Sequence, residues 1–185
     1  MGVYLFEKSD NEIIELYKNG EKEALKYLIE RYASPIFNFV AHLTNRNDAP
    51  DIVQDIFIKT WKNIKRYDSK KASFKTWIFT IARNSVTDFW RKKKNILFTE
   101  IEESFSENIP DENLLPDEVL QKLEDAELLN KTLEKLRPDY REVLVLYYQE
   151  EMTFEEIGGI LSKPTNTVKS QHRRAIIELR ELLHF

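Results

Sequence analysis

SFKTWIFTIARNSVTDFWRKKK, residues 73–94, is the stretch of the sequence that decides the fold. Its apolar side chains recur at helical spacing, which predicts a long amphipathic helix packed against a core. The opposite side of this helix is polar and ends in four consecutive cations at 91–94. The polar stripe consists of Thr80, Asn84, Thr87 and Arg91, and the buried side of Phe74, Trp77, Ile78, Ile81, Ser85 and Phe89.

Three further helical patterns precede this stretch and predict a small bundle. Apolar residues keep helical spacing over 21–43 and 48–64, and a short helix fits 9–18. Pro35 is expected to bend the second helix or split it, because proline cannot donate a backbone hydrogen bond. Helical spacing resumes near Val119. The predicted fold class is all-α, with two small helical domains, 1–95 and 119–185, joined by an acidic linker at 96–118.

The composition argues against several kinds of site. The chain has 185 residues, no cysteine and three histidines without metal-ligand spacing, so we expect no disulfide, metal site or cysteine nucleophile. We find no nucleophile-base pair and no phosphate-binding glycine motif, which predicts a non-enzymatic protein without a cofactor. No apolar run approaches the roughly 20 residues that a membrane-spanning helix needs, and no secretory leader is evident, which predicts a cytoplasmic protein without membrane insertion.

Charge is distributed unevenly along the chain. The formal net charge is -4, yet residues 59–94 hold twelve Lys or Arg against two Asp, whereas residues 99–127 hold eleven acidic residues against Lys122. This asymmetry predicts a polyanion-binding surface and an acidic tether. The alternative is that each charged run is only a solvated surface.

Residues 153–183 have the pattern of a helix-turn-helix. Thr153 and Glu156 form an S/T-x-x-E capping box for the first helix, and Ser162, Lys163 and Pro164 form the turn. The second helix buries one side and presents hydrogen-bond donors on the other, which predicts insertion into a major groove. An ordinary helical hairpin is the alternative.

The basic stretch around the helix of residues 73–94 has a different predicted target from that of the helix-turn-helix. The loop RYDSKKASF, residues 66–74, has Tyr67 and Phe74 at its edges and precedes the cationic helix. Cations beside a loop that can pocket an unstacked base suit single-stranded DNA. Phe74, Trp77 and Phe89 also fit core positions, so the contacts are assigned mainly to the polar stripe and the loop.

Taken in order, these motifs resemble the bacterial RNA polymerase sigma factors of the extracytoplasmic-function (ECF) type. DAPDIVQDIFIKTW (48–61) is similar to region 2.2, residues 73–94 to regions 2.3 and 2.4, and residues 136–161 and 166–183 to region 4. The resemblance implies a subunit that gives the RNA polymerase core its promoter specificity. Its implied partners are the β′ coiled coil, the β subunit, promoter DNA and an anti-sigma factor, and it implies that the linker enters the RNA-exit path.

The resemblance also implies roles for individual residues. Docking on the β′ coiled coil falls to Asp51, Gln54 and Asp55, with Trp61 mainly packing; for Asp51, complementing the helix dipole is the alternative. Recognition and melting of the minus-ten element fall to Arg66, Tyr67, Lys70, Lys71, Thr80, Arg83, Asn84, Thr87, Asp88, Arg91 and Lys92. Reading of the minus-thirty-five element falls to Thr165, Asn166, Thr167, Lys169, Ser170, Gln171, Arg173 and Arg174.

Some positions depart from the family pattern. Gly158 and Gly159 replace better helix formers and are expected to soften the first helix of the motif, at about 1 kcal/mol each. Gln171 replaces a common arginine, so base preference at the upstream element cannot be copied from relatives. His172 occupies a usually apolar position and is expected to be a partly buried histidine with its hydrogen bonds satisfied, rather than a pH sensor.

Two rival functions remain open at the level of sequence. A stand-alone regulator would use only the helix-turn-helix and would bind a two-fold symmetric duplex without polymerase. A helical enzyme is the other rival, although no catalytic constellation supports it. For a sigma factor we expect weak DNA binding without polymerase, because the net charge is negative and the two DNA-reading domains are held apart by a flexible tether.

Overall fold

The computed structural model of the protein describes residues 8–97 and 126–183. The regular secondary structure of these two ranges is entirely helical. The predicted linker lies outside the described residues except for 96–97, which end a helix, and the predicted helix start at Val119 also lies outside them. The helices are α1 (Asp10–Lys18), α2 (Ala24–Leu43), α3 (Ala49–Asn63), α4 (Phe74–Leu97), α5 (Ala126–Lys135), α6 (Pro138–Leu144), α7 (Phe154–Leu161) and α8 (Thr165–Leu182).

The four N-terminal helices form the predicted bundle. Ser9 caps α1 by accepting from the Glu12 backbone N–H, and the Glu12 carboxylate accepts from the Ser9 N–H at 2.8 Å. Pro35 lies inside α2, which continues as one helix from Ala24 to Leu43, so the split that the sequence left open does not occur. α3 passes into a 3-10 turn, Ile64–Arg66, before the loop that leads to α4.

The core of this bundle follows the predicted apolar periodicity. The side chains of Ile36, Phe39, Ile56 and Phe79 are completely buried, and each contributes roughly 1.5–3 kcal/mol relative to an exposed position. Phe39 and Phe79 pack edge to face with ring centroids 5.3 Å apart. Phe74 is buried and Trp77 and Phe89 pack against the same core, which confirms the assignment of these rings to packing.

The C-terminal helices form the predicted helix-turn-helix. Thr153 caps α7 through the expected box with Glu156, and a π-helical turn, Val145–Gln149, connects α6 to the segment before α7. The turn between α7 and α8 places Ser162 in the left-handed region at φ 54°. A Cβ at position 158 would lie 2.8 Å from the Lys163 carbonyl oxygen, so the tight turn requires glycine there.

The two halves of the chain pack against each other rather than lying apart. Ile157, Ile160 and Leu161 of α7 join the N-terminal bundle in one hydrophobic core. A Cβ at Gly159 would lie 3.8 Å from the Thr76 Cγ2 of α4, so these two helices are in direct contact. The expectation that the halves are held apart is therefore wrong for this conformation. The physical reason is that small helical units leave apolar surface that they cannot bury alone.

Polar contacts also cross the boundary between the halves. Arg141 donates from Nη1 to the His42 carbonyl oxygen at 2.9 Å, and Gln149 Nε2 lies 3.0 Å from His42 Nε2. Lys75 donates to the Glu150 carbonyl oxygen, and its Nζ lies 3.9 Å from the Glu150 carboxylate. None of the helices in the described ranges combines the length and the hydrophobicity that a membrane-spanning segment needs.

Candidate nucleic-acid interface

The polar stripe of α4 is largely open to solvent. Asn84, Thr87 and Arg91 are exposed, whereas Thr80 is half-buried and donates its hydroxyl to the Thr76 carbonyl oxygen at 2.8 Å. The Thr87 hydroxyl donates to the Arg83 carbonyl oxygen at 2.9 Å. The Asn84 amide is thus an exposed side-chain donor and acceptor in the middle of the helix.

Two cationic side chains extend this stripe toward the C-terminal end of α4. Arg91 pairs with half-buried Asp88 at 3.0 Å, and Lys92 is exposed. Because the Arg91 pair is solvent-exposed and follows the helix surface, it is worth at most about 1 kcal/mol and can be exchanged for a phosphate contact.

Arg83 lies at the boundary between the two halves. Its Nε is 3.5 Å from Glu142 Oε1, and this Nε is buried without a hydrogen-bond partner within the described ranges. Burial raises the pKa of Glu142, against the opposing effect of Arg83. The two charges therefore attract each other, but the pair is incompletely hydrogen-bonded, so it stabilises the contact between the halves only weakly.

The loop before α4 exposes its cationic side chains, but it does not expose the aromatic side chain that was expected at its edge. Arg66, Lys70 and Lys71 are exposed, whereas Tyr67 is only 5% exposed. The Tyr67 hydroxyl lies 3.1 Å from both the Asn11 side-chain oxygen and the Ala72 carbonyl oxygen. Tyr67 therefore belongs to the core in this conformation, and the prediction that it forms an accessible edge for a base does not hold here.

The solvent side of α3 is a continuous stripe of acidic, amide and apolar side chains. Asp51, Gln54 and Asp55 are exposed as predicted. Ile58 and Trp61 continue the stripe one and two turns further along, with 42% and 58% of their surfaces exposed. The prediction that Trp61 mainly packs is wrong. Helical periodicity indicates which side of the helix a residue lies on, and it does not indicate how much of the side chain is buried. Ile58 was not predicted to belong to this surface, although its helical spacing from Asp51, Gln54 and Asp55 places it on the same side of the helix.

The outer side of α8, the second helix of the helix-turn-helix, carries the predicted hydrogen-bond donors. Thr165 and Arg174 are half-buried, and the Ser170 hydroxyl donates back to the Asn166 carbonyl oxygen at 2.9 Å. Gln171 differs from these neighbours because it is only 9% exposed and both ends of its amide are engaged by other side chains. The exposed members of the set are Asn166, Thr167, Lys169, Ser170 and Arg173.

His172 lies on the inner side of α8 within a cluster of aromatic rings. Its ring centroid is 4.7 Å from that of Tyr147 and 5.2 Å from that of Phe154. Burial lowers the pKa of His172, and its buried Nε2 has no hydrogen-bond partner among the residues that the structure describes. The expectation that this histidine is buried is confirmed, and the expectation that its hydrogen bonds are satisfied is wrong.

Two family models match the chain, and one curated relative decides the assignment. The model of Sigma-70 region 2 matches residues 28–96 and that of Sigma-70 region 4 matches residues 126–179. The ECF RNA polymerase sigma factor SigW of Bacillus subtilis is 32% identical over 177 residues, covering 92% of this chain and 94% of SigW. The chain belongs to the ECF RNA polymerase sigma factors.

Other relatives support the same family and fold. The ECF RNA polymerase sigma-E factor of Escherichia coli is 25% identical over 173 residues, 90% of each chain. The sigma factor RpoE of Bartonella quintana, solved in complex with the anti-sigma factor NepR, has a TM-score of 0.69 at 25% identity and covers 88% of this chain and 98% of its own. CnrH, solved in complex with the cytosolic domain of CnrY, shares the fold with a TM-score of 0.69 at 22% identity, over 96% of this chain and 98% of CnrH.

The two family-model matches cover the surfaces described above. Region 2 contains the stripes of α3 and α4, and region 4 contains the helix-turn-helix of α7 and α8. A sigma factor is a non-enzymatic transcription initiation factor. Within 8–97 and 126–183, no group of three or more His, Cys, Asp or Glu side chains could hold a metal ion.

Proposed function

We propose that this sigma factor, acting in the cytoplasm, docks on the β′ coiled coil through α3, opens the minus-ten element with α4 and reads the minus-thirty-five element with α8. The observation that carries this assignment is that two separate helices, α4 and α8, each present an exposed row of donors over a buried apolar side. In this assignment residues 1–95 act as region 2, residues 119–185 as region 4, and the acidic stretch between them as the linker.

The surface of α4 suits an unpaired strand better than a duplex. Asn84 offers a donor and an acceptor to a base edge, while Arg66, Lys70 and Lys71 of the loop and Lys92 of the helix supply cations for the phosphates. Single-strand binding combines such a cationic track with contacts to splayed bases. Opening by capture of unpaired bases needs no nucleotide hydrolysis, which agrees with the non-enzymatic role of the family.

The stripe on α3 supplies the docking surface for the polymerase. Asp51 and Asp55 lie one turn apart and can meet a basic helix, and Trp61 adds a large exposed ring of the kind that dominates the binding energy of interfaces. Acidic side chains beside an exposed aromatic ring complement a coiled coil that carries cations over an apolar seam.

Separation of the two halves from the arrangement seen here would free further residues of α4 for promoter opening. α7 contacts α4 at Thr76, and Glu142 engages Arg83 beside the polar stripe. In this closed arrangement Glu142 competes with DNA for Arg83, of whose side chain 28% is exposed, which gives a structural reason for weaker promoter binding without polymerase. The sigma factor RpoE of Bartonella quintana was solved in complex with the anti-sigma factor NepR, and we propose that this chain too is held inactive by an anti-sigma partner.

Retention of purified core polymerase by the immobilised chain tests this function against its rivals. We expect core polymerase to bind, and the pair of changes Asp51→Ala and Asp55→Ala to weaken binding, whereas Lys26→Ala, an exposed change on α2, should not. A stand-alone regulator or a helical enzyme predicts no retention of β and β′ by the wild-type chain, and that result would refute the proposal.

A further inference from the structure

A polar groove separates the start of α6 from the outer edge of α8. Its volume is about 390 Å³, and its walls include Arg137 and Tyr140 on one side and Asn166, Ser170 and Arg174 on the other. Asn166, Ser170 and Arg174 follow one another at four-residue spacing, so they form one edge of the recognition helix. A strand of duplex DNA that contacts this edge of α8 would therefore also face α6.

A chain of four polar side chains runs from the turn of the helix-turn-helix into this groove. Lys163 in the turn donates from Nζ to Gln171 Oε1 at 3.1 Å. Gln171 donates from Nε2 to Asp139 Oδ2 at 3.3 Å, and Arg137 Nε lies 3.3 Å from Asp139 Oδ1. The chain thus links the turn of the helix-turn-helix to the first turn of α6. We call these four residues the polar relay.

Arg137 at the end of the polar relay is held in one place by three contacts. Its guanidinium lies over the Tyr140 ring, 4.7 Å from the centroid, and its backbone N–H donates to Glu178 Oε1 at 3.1 Å. Tyr140 is itself buried in the smaller hydrophobic core of the C-terminal half. With half of its side chain exposed, Arg137 presents a guanidinium whose stacking and ion pair restrict its rotamers before any ligand binds.

We infer that Arg137 contacts a DNA phosphate beside the minus-thirty-five element and that the polar relay positions it there, with Gln171 acting as a positioning residue rather than a base reader. This inference rests on the proposed function of region 4. Arg137 Nε and Nη2 face Asp139 at 3.3 and 3.5 Å, and the guanidinium has five N–H donors, so its Nη groups still have N–H donors for phosphate oxygens. The Gln171 amide is oriented by the polar relay, because its Oε1 accepts from Lys163 and its Nε2 donates to Asp139, and only 9% of the residue is exposed.

The electrostatics of the groove agree with this assignment. Asp139 would repel a phosphate if it stood alone, but Arg137 and the Gln171 amide face its two oxygens. Lys163, Arg137 and Arg174 leave the groove with more positive than negative charge. A nucleic-acid strand therefore meets a surface where the Asp139 carboxylate faces Arg137 and Gln171 and the Glu178 carboxylate accepts from the Arg137 backbone N–H.

The test measures promoter binding by reconstituted holoenzyme over a series of salt concentrations. Arg137→Ala should weaken binding by a similar factor on all single-base variants of the minus-thirty-five element. It should also reduce the slope of log affinity against log salt by about 0.9, the value for one lost phosphate contact. Arg137→Lys should keep the slope, and Gln171→Ala should weaken binding without changing base preference. Glu181→Ala, at the far end of α8, is the matched control.

Each outcome of this experiment decides one question. Unchanged affinity and slope for Arg137→Ala, or a loss confined to one base pair, would overturn the phosphate assignment. An altered base preference for Gln171→Ala would restore that residue as a reader. The double change Lys169→Ala and Arg173→Ala reports on the underlying function, because a holoenzyme that tolerates the loss of both cations on every template contradicts the use of α8 for DNA, whatever Arg137 does. Thermal unfolding followed by circular dichroism confirms that each variant is folded.

Discussion

Replacing Glu142 with glutamine removes the negative charge that faces Arg83 across the two halves, and we expect the halves to separate more readily. The Nε to Oε1 distance is 3.5 Å. At an effective dielectric constant of about 20, two unit charges at that distance attract by roughly 5 kcal/mol. Burial of Glu142, which raises its pKa, offsets a large part of this attraction. A net loss of about 1–2 kcal/mol shifts the closed-to-open equilibrium by a factor of roughly 5 to 30.

Thiol labelling measures this shift directly, because the chain contains no cysteine. Thr76 is buried beneath α7, so a single Thr76→Cys change places the one thiol of the protein at the boundary between the halves. In the Glu142→Gln background we expect labelling to be roughly 5 to 30 times faster, in proportion to the open population. Glu155→Gln, an exposed change on α7, should leave the rate unchanged. Equal labelling rates with and without Glu142→Gln would refute the closed-state reasoning.

Three further predictions concern docking, pH and the turn. Trp61→Ala should weaken binding of core polymerase by about 2 kcal/mol, roughly 30-fold, with little change in stability, whereas Ile177→Ala, another exposed apolar residue, should not; titration calorimetry distinguishes them. The pKa of His172 is lowered on folding, so the unfolded chain takes up the proton first, and the free energy of unfolding should fall as pH drops below about 6.5. His172→Phe should reduce that fall by at most about 1.4 kcal/mol per pH unit, and urea titrations showing parallel pH profiles would contradict the assignment. Gly158→Ala should destabilise the protein by about 1–3 kcal/mol in urea unfolding, because its Cβ would meet the Lys163 carbonyl oxygen, whereas Gly159→Ala should be neutral or stabilising by up to about 1 kcal/mol; equal effects of the two changes would argue against the turn geometry.

The helices could be predicted from the sequence because the patterns that define a helix lie within a few neighbouring residues. The capping box at Thr153 formed as expected, and the helix predicted over 9–18 begins with a box of the same kind at Ser9; both depend on hydrogen bonds within four residues. Apolar periodicity likewise located the buried sides of α2, α3 and α4. Such patterns report which side of a helix is apolar, and they are silent about how much of each side a neighbour covers.

The site was harder to predict because its accessibility depends on contacts between distant segments. From the sequence, Tyr67 is expected to be an exposed aromatic residue of a loop, yet its hydroxyl donates a hydrogen bond to the Asn11 side chain across the bundle. Arg83 reads as a solvent cation, yet it faces Glu142 of the other half. Trp61 reads as a core ring, yet no element packs over more than part of it. Local spacing cannot distinguish these cases, since each is decided by a partner remote in sequence.

Run-off transcription with core polymerase tests the central claim most directly. Templates are promoters mapped by sequencing transcripts after overexpression of the chain. We predict promoter-specific transcripts with the wild-type chain, failure of promoter opening with Asn84→Ala, and reduced use of the minus-thirty-five element with Lys169→Ala and Arg173→Ala. No specific transcript from any mapped promoter, or equal transcription by all three variants, would contradict the account.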